Sequence, residues 1–324
     1  MQGPRCAGGG IVSHNRRVAI LGAGMAGATA ARHLAEAGLP VQVFDKGRGV
    51  GGRMATRLSG TMQFDHGAQF LRAHGDAFAA RIADWDMRGI TAPWGGAMRC
   101  VGVPGMTAPV RDLLAELPVS SGTTITRIVH DEASWRLTDS AGGHHGPFAA
   151  LAITFPAPQT VTLLAASGFA MPEIQHASYA PCWSLMLAVD EAPTAALIEP
   201  KDGPLGLIAT DSSKPGRPAG IRLTVHAKPD WSRAHLELSR DAVVSELTRA
   251  AAACLAAPLR PSYAEAHRWR FAQVETALGR PCQYDPALRL GAAGDWCLGP
   301  RIEAAHDSGL ALAQAILGDL GPAA

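Results

Sequence analysis

The sequence lacks the spaced pairs that announce metal or thiol chemistry. No C-x-x-C, H-E-x-x-H or G-x-S-x-G occurs, and Cys6, Cys100, Cys182, Cys254, Cys282 and Cys297 stand singly. A zinc ribbon, a redox dithiol, a zincin helix and a nucleophile elbow are therefore not signalled, no metal site is expected, and reduced thiols are. No apolar run reaches the ~20 residues needed to cross a bilayer. The first fifteen residues, MQGPRCAGGGIVSHN, contain no signal-type hydrophobic segment. Residues 1–16 read as a leader, and a cytoplasmic protein without a membrane partner is expected. Charge of one sign is also missing: 29 basic against 28 acidic residues leave +1, so no basic face points to nucleic acid. Hydrophobic residues make up 47% of the 324 and charged residues only 18%, enough for sizeable cores in two lobes.

What is present begins at Arg17. RVAIL has strand character, and GAGMAG follows directly, with Gly22, Gly24 and Gly27 as G-x-G-x-x-G. An Ala-rich helix then runs to Gly38, and a second strand, VQVFD, ends on Asp45. Gly22 permits the tight turn, Gly24 lets a pyrophosphate approach the backbone, and Gly27 lets helix and strand pack closely. Ala23, Met25 and Ala26 complete the loop, whose helix N-terminus offers unpaired N–H groups to phosphates. Asp45 is placed to accept from a ribose diol. Beyond Asp45 and Lys46, the Gly51-Gly52-Arg53 step can bring a guanidinium onto an extended dinucleotide, an insertion that a nicotinamide-binding domain does not need. MQFDHGAQFL then sets Gly67, Ala68, Gln69 and Phe70 after a strand-like stretch. Near the other end, ALRLGAAGD leads a strand into Gly294 and Asp295, and RIEAAHDSGLALAQAI reads as a helix with Arg301, Ile302 and Glu303 at its start.

Together G-x-G-x-x-G, D-K-x-x-x-x-G-G-R and D-x-G-A-Q-F resemble the flavin-containing amine oxidoreductases. Within them the chain is most similar to the renalase-like branch, through YAPCWSLML, SSKPGR, HRWRFA and GDWCLGPRIEAAHDSG. The family usually has Gly after the Glu, whereas Ala304 follows Glu303 here. The resemblance implies non-covalent FAD, with Ile125 as a backbone contact to adenine. Backbone N–H groups at Ile302 and Glu303 would face the pyrimidine side of the ring. It further implies oxidation of 2- or 6-dihydro isomers of NAD(P)H, with dioxygen reduced to hydrogen peroxide. An amine oxidase, a desaturase and a non-catalytic FAD-binding protein remain alternatives; the oligomeric state stays open.

FAD contacts from both chain ends predict an α/β fold with a discontinuous FAD-binding Rossmann-like domain (17–72, 99–156 and 267–324). A second, mixed-sheet substrate lobe would comprise 73–98 and 157–266. Helices are expected at Thr107–Leu117 and over DAVVSELTRAAAACL, with strands in TTITRIVHD, SWRLTD, LAITFP, CWSLMLAV and IRLTVHA. Trp269 and Phe271, in HRWRFA leading back to the cofactor domain, are expected beside Gln69 and Phe70 in the substrate pocket, and Trp94, Trp183 and Trp296 fall near the cleft. The spacing puts His144 and His145 in a solvated turn, His66 in packing, and Lys214 in a surface turn.

Overall fold

The computed structural model describes residues 16–96, 98–131, 134–191, 193 and 195–322. Strand β1 (Val18–Leu21) leads into helix α1 (Met25–Glu36) and strand β2 (Val41–Phe44). All four β1 residues are buried, because β1 lies inside the sheet, in parallel register with β2 on one side and Ala150–Ile153 on the other. Gly38 closes α1 with φ +82°, the left-handed conformation expected of it. The six-stranded sheet runs in the order Gln283–Asp285, Leu290–Ala292, Ala150–Ile153, β1, β2, Val119–Ser120, antiparallel only at its first pair.

The C-terminal helix Ile302–Leu320 packs on α1. Contact is close: a Cβ on Gly309 would stand 2.1 Å from the Ala26 carbonyl oxygen. Arg16, expected in the leader, instead caps the far end of this helix, donating to the carbonyls of Leu320 (2.7 Å) and Gly321. The rest of that leader lies outside the described residues.

A three-stranded antiparallel sheet, Ile125–Asp131, Ser134–Asp139 and His144–Phe148, covers one side. His144 and His145 therefore sit in a strand and not in a turn. His145 packs its ring 4.9 Å from Phe44 and meets Asp139 at 2.8 Å, contacts that local spacing does not reveal.

The second lobe is a five-stranded antiparallel sheet in the order Leu197–Ile198, Leu205–Thr210, Ile221–Ala227, Ser178–Val189, Tyr263–Thr276. Trp183, Leu185, Leu187, Leu223 and Val225 turn one face toward Val243, Leu247 and Ala251 of helix Arg240–Leu255. Ser239 caps that helix through the Ala242 N–H.

Domain membership differs from expectation in three places. Helix α2 (Asp76–Met87) and Trp94, within the 73–98 excursion, pack into the first core: Phe78, Trp85 and Trp94 join Leu34, Leu113 and Leu312. Helix Ala157–Ala166 buries Leu163 and Leu164 with Ile128 and Leu151. Residue 267 falls inside the continuous strand Tyr263–Thr276. In the first two cases a buried apolar face decides, and in the third the continuous pairing of this strand with Ser178–Val189 does.

Candidate dinucleotide site

The loop after β1 is built as its glycines suggest. Gly22 has φ +110°, and a Cβ on Gly27 would lie 1.9 Å from the Gly22 carbonyl oxygen, so neither position tolerates a side chain. Gly24 differs: a Cβ there would meet nothing within 4 Å. The backbone at Gly24 thus borders open space at the start of α1, where unpaired N–H groups and the helix dipole favour an anion. Met25 and Ala26 are buried in the first turn of α1.

Asp45 accepts from the Ala23 N–H and the Gly47 N–H, both at 2.6 Å. An ionised carboxylate has about four lone-pair sites, so two such bonds leave capacity for ribose hydroxyls. Beyond β2 lies a cavity of about 330 Å³ bordered by Phe44, Lys46, Ile125, Phe155, Gln159 and Leu163. Its volume falls at the lower end of the ~300–1,000 Å³ of small-molecule sites. Apolar walls and a polar rim suit a purine base.

The two chain ends meet one step further on. Gly51 donates to the Ala23 carbonyl (2.8 Å), and a Cβ on Gly52 would stand 3.4 Å from the Gly24 Cα. Arg53 makes a two-point ion pair with Asp295, Nη1–Oδ2 2.6 Å and Nη2–Oδ1 2.7 Å. Tyr179 lies beside it, its ring centroid 5.6 Å from the Arg53 guanidinium and 5.7 Å from Phe271. Burial pushes the Tyr179 phenol up, with the Asp295 charge adding to it. Gly294 donates to Ser308 Oγ (2.9 Å), anchoring the 294–295 turn on the C-terminal helix. Arg301 is the exposed N-cap residue of that helix and Ile302 its half-buried first residue.

Glu303 is buried, and its carboxylate accepts from the N–H groups of His74 (3.0 Å) and Gly75 (2.7 Å). Its side chain is thereby engaged in holding the turn before α2.

The loop 65–70 is clamped by the second lobe. Ala68 donates to the Arg53 carbonyl (2.9 Å), and a Cβ on Gly67 would lie 2.0 Å from that oxygen. Trp269 Nε1 donates to the His66 carbonyl at 2.9 Å. Lys214, expected in a surface turn, is buried with no side-chain exposure. Its ammonium meets Asp211 (2.6 Å), Asp65 (3.2 Å) and Gln69 Oε1 (2.9 Å) and lies 5.2 Å from the Trp94 ring centroid. Arg217 also pairs with Asp65. Burial alone would raise the Asp65 carboxyl, but Lys214 and Arg217 outweigh it and hold it down to about 2. Burial pushes Asp211 the other way, upward. Two carboxylates and two cations thus balance inside the seam between lobes, as buried charge requires. The sequence hides this because S-S-K-P-G-R has turn composition; only the two acids, 211 and 65, could have hinted at a partner.

The Gln69 side chain is tied into this cluster. Its amide spans the Asp65 and Gly67 carbonyls on one side and Lys214 on the other. Trp269 is half-buried and stacked on His66 (5.1 Å, 30°), with His267 edge-on at 4.4 Å. Burial pushes His66 down to about 3, aided by His267, and pushes His267 and His226 down to about 4. Trp183 belongs to the second-lobe core, and Trp296 is fully buried, donating to the Phe155 carbonyl (3.0 Å).

Residues 20–84 match a family described as an NAD(P)-binding Rossmann-like domain. The N-terminal part of the chain has a Rossmann-like fold. Across 95% of its length the chain also superposes on 99% of a solved structure from Exiguobacterium sp. 255-15, provisionally described as a protoporphyrinogen oxidase. The TM-score is 0.73 and the identity 12%, a likeness of fold. Among the described residues, no group of three or more His, Cys, Asp or Glu side chains is placed to hold a metal ion, and no helix is long and apolar enough to cross a membrane.

Proposed function

We propose that the chain is an FAD-dependent oxidoreductase that takes a hydride from the uncharged dihydropyridine ring of a small molecule, a 2- or 6-dihydro isomer of NAD(P). The observation that carries the cofactor assignment is the meeting of Gly51, Gly52 and Arg53 with the glycine loop on one side and Asp295 on the other. Gly24 opens onto free space at a helix start, the purine-sized cavity reaches Ile125, and Arg53 and Asp295 close the path from opposite ends of the chain. In this reading the amides of Gly22–Gly27 hold the phosphates and Asp45 and Lys46 the adenosine ribose. Gly52, Arg53, Gly67, Ala68, Phe70, Gly294, Asp295 and the backbone of Ile302 and Glu303 border the rest. Bound flavin would accept the hydride and return the electrons to dioxygen as hydrogen peroxide. Cys297 is buried and its thiol is pushed up to about 12 by burial, which supports non-covalent attachment.

The substrate class rests on the sequence resemblance. A dihydropyridine that departs as an aromatic cation releases no proton, so no protein base is required.

Anaerobic mixing of the flavin-loaded protein with borohydride-reduced NAD+ is the test. Bleaching of the visible flavin band by the mixture, but not by ordinary 4-dihydro NADH, is the expected result. Bleaching by amines alone would replace this substrate class, and purification without bound or bindable flavin would end the cofactor assignment.

A further inference from the structure

Beside the flavin loop, two arginines face each other without a buried acid between them. Leu71 and Cys100 form an antiparallel bridge, with N–H to O distances of 2.7 and 3.0 Å in the two directions. The next step of that register sets Arg72 across from Arg99, on the face that also carries Phe70. Both guanidiniums lie over the Phe70 ring, Arg99 at 5.0 Å and Arg72 at 5.8 Å from its centroid. Like charges directly opposed on paired strands are destabilising. Among the described residues nothing offsets this pair well. Arg99 donates to the Gly95 carbonyl (3.2 Å), and its ion pair is with Glu199, 3.7 Å away and 62% exposed, a solvated contact of little strength. Arg72 has no ion pair among the described residues, and the Nε atoms of both arginines are buried without a hydrogen-bond partner. Cation–π contact with one shared ring orients the two guanidiniums but does not neutralise them.

We propose that Arg72 and Arg99 form an anion site for the phosphate groups of the substrate, at the edge of the pocket marked by Phe70. Two planar guanidiniums balanced among the described residues by the solvated Glu199 alone match phosphate oxygens, and an arriving anion relieves their mutual repulsion. The location rests on the flavin reading above, since Phe70 ends the loop assigned to the ring; the anion site itself does not depend on which dinucleotide is oxidised.

The test is calorimetric titration of the flavin-loaded protein with inorganic pyrophosphate, and separately with NAD+ and with nicotinamide, which has no phosphate. The wild type is expected to bind pyrophosphate and NAD+ with affinity that falls as salt rises. Arg72→Gln and Arg99→Gln should each weaken both by on the order of tenfold or more. Nicotinamide binding should not change. Flavin content should also be unchanged, and melting temperature unchanged or raised, because removing one charge relieves the repulsion; a merely structural arginine would lower it. Pyrophosphate that does not bind, or binds the variants equally, overturns the proposal. Loss of flavin from the variants also overturns it, by assigning the pair to the cofactor's own phosphates. If pyrophosphate binding depends on both arginines while dihydro-NAD isomers fail to bleach the flavin, the anion site stands and the substrate reading falls.

Discussion

Arg53 and Asp295, 242 residues apart in sequence, meet in a two-point ion pair at 2.6 and 2.7 Å. The pair joins the segment after β2 to the turn before the C-terminal helix. Asp295 is almost buried and Arg53 partly so, with side-chain exposures of 9% and 28%. Removing one partner leaves a poorly solvated charge. Asp295→Leu is therefore expected to lower unfolding free energy by about 2–5 kcal/mol, and Arg53→Met/Asp295→Leu by less than the sum of its singles. Urea melts of the four proteins measure this; strict additivity would mean that the two groups do not interact.

Gly24 and Gly27 separate binding from folding. Gly24→Ala meets no neighbour, so its stability cost should stay under about 1 kcal/mol, the scale of a helix N-cap change. It should nonetheless purify with less flavin, because the methyl group occupies the approach to the loop backbone. Gly27→Ala drives a Cβ into the Gly22 carbonyl and should cost about 1–3 kcal/mol or more through forced backbone movement. Thermal melts and flavin-to-protein absorbance ratios distinguish the two effects. Equal flavin retention in Gly24→Ala and wild type would count against a dinucleotide at this loop.

Lys214→Met leaves Asp65 and Asp211 inside the protein with Arg217 as their remaining cation. A loss of about 3–5 kcal/mol is expected, as for other broken buried pairs. Lys214→Met/Asp211→Leu removes one charge of each sign and should recover part of that loss. Hydrogen exchange of the 65–70 amides should rise in the single variant, since Lys214 holds Gln69 in place. Unchanged exchange there would mean that the ammonium does not brace the loop.

Acid should destabilise the protein before its carboxylates protonate. His66 has its pKa depressed from 6.5 to about 3, and His226 from 6.5 to about 4. Below 6.5 the unfolded chain takes up protons that the native imidazoles refuse, so this stability is complete above 6.5 and is lost as pH falls toward 4. Each silent imidazole contributes a slope of up to about 1.4 kcal/mol per pH unit in that window. Urea melts at pH 7, 6 and 5 should show the decline, and His226→Gln should flatten it. A flat profile between pH 7 and 5 would mean that these rings protonate freely in the folded protein.

Helices and strands close to their observed bounds were legible in the sequence wherever the controlling interactions are local. β1, α1 and β2 follow from an apolar run, a glycine turn and a closing Gly38, because backbone geometry over some thirty residues is set by steric and hydrogen-bonding rules that act between near neighbours. Burial obeys no such local rule. Lys214 sits in a stretch of turn composition, yet its partners Asp65 and Gln69 lie 149 and 145 residues away, and only chain closure turns a surface-type lysine into an interior one. Gln69 and Glu303 likewise appear in motif positions, but contacts with distant segments commit their side chains to the protein itself. Arg72 and Arg99 look unrelated along the chain until one antiparallel bridge sets them opposite each other over Phe70. The sequence by itself determined the elements and the glycine loop; which charges are buried, paired or left facing one another was decided by distant segments packing together, where desolvation makes each partner count.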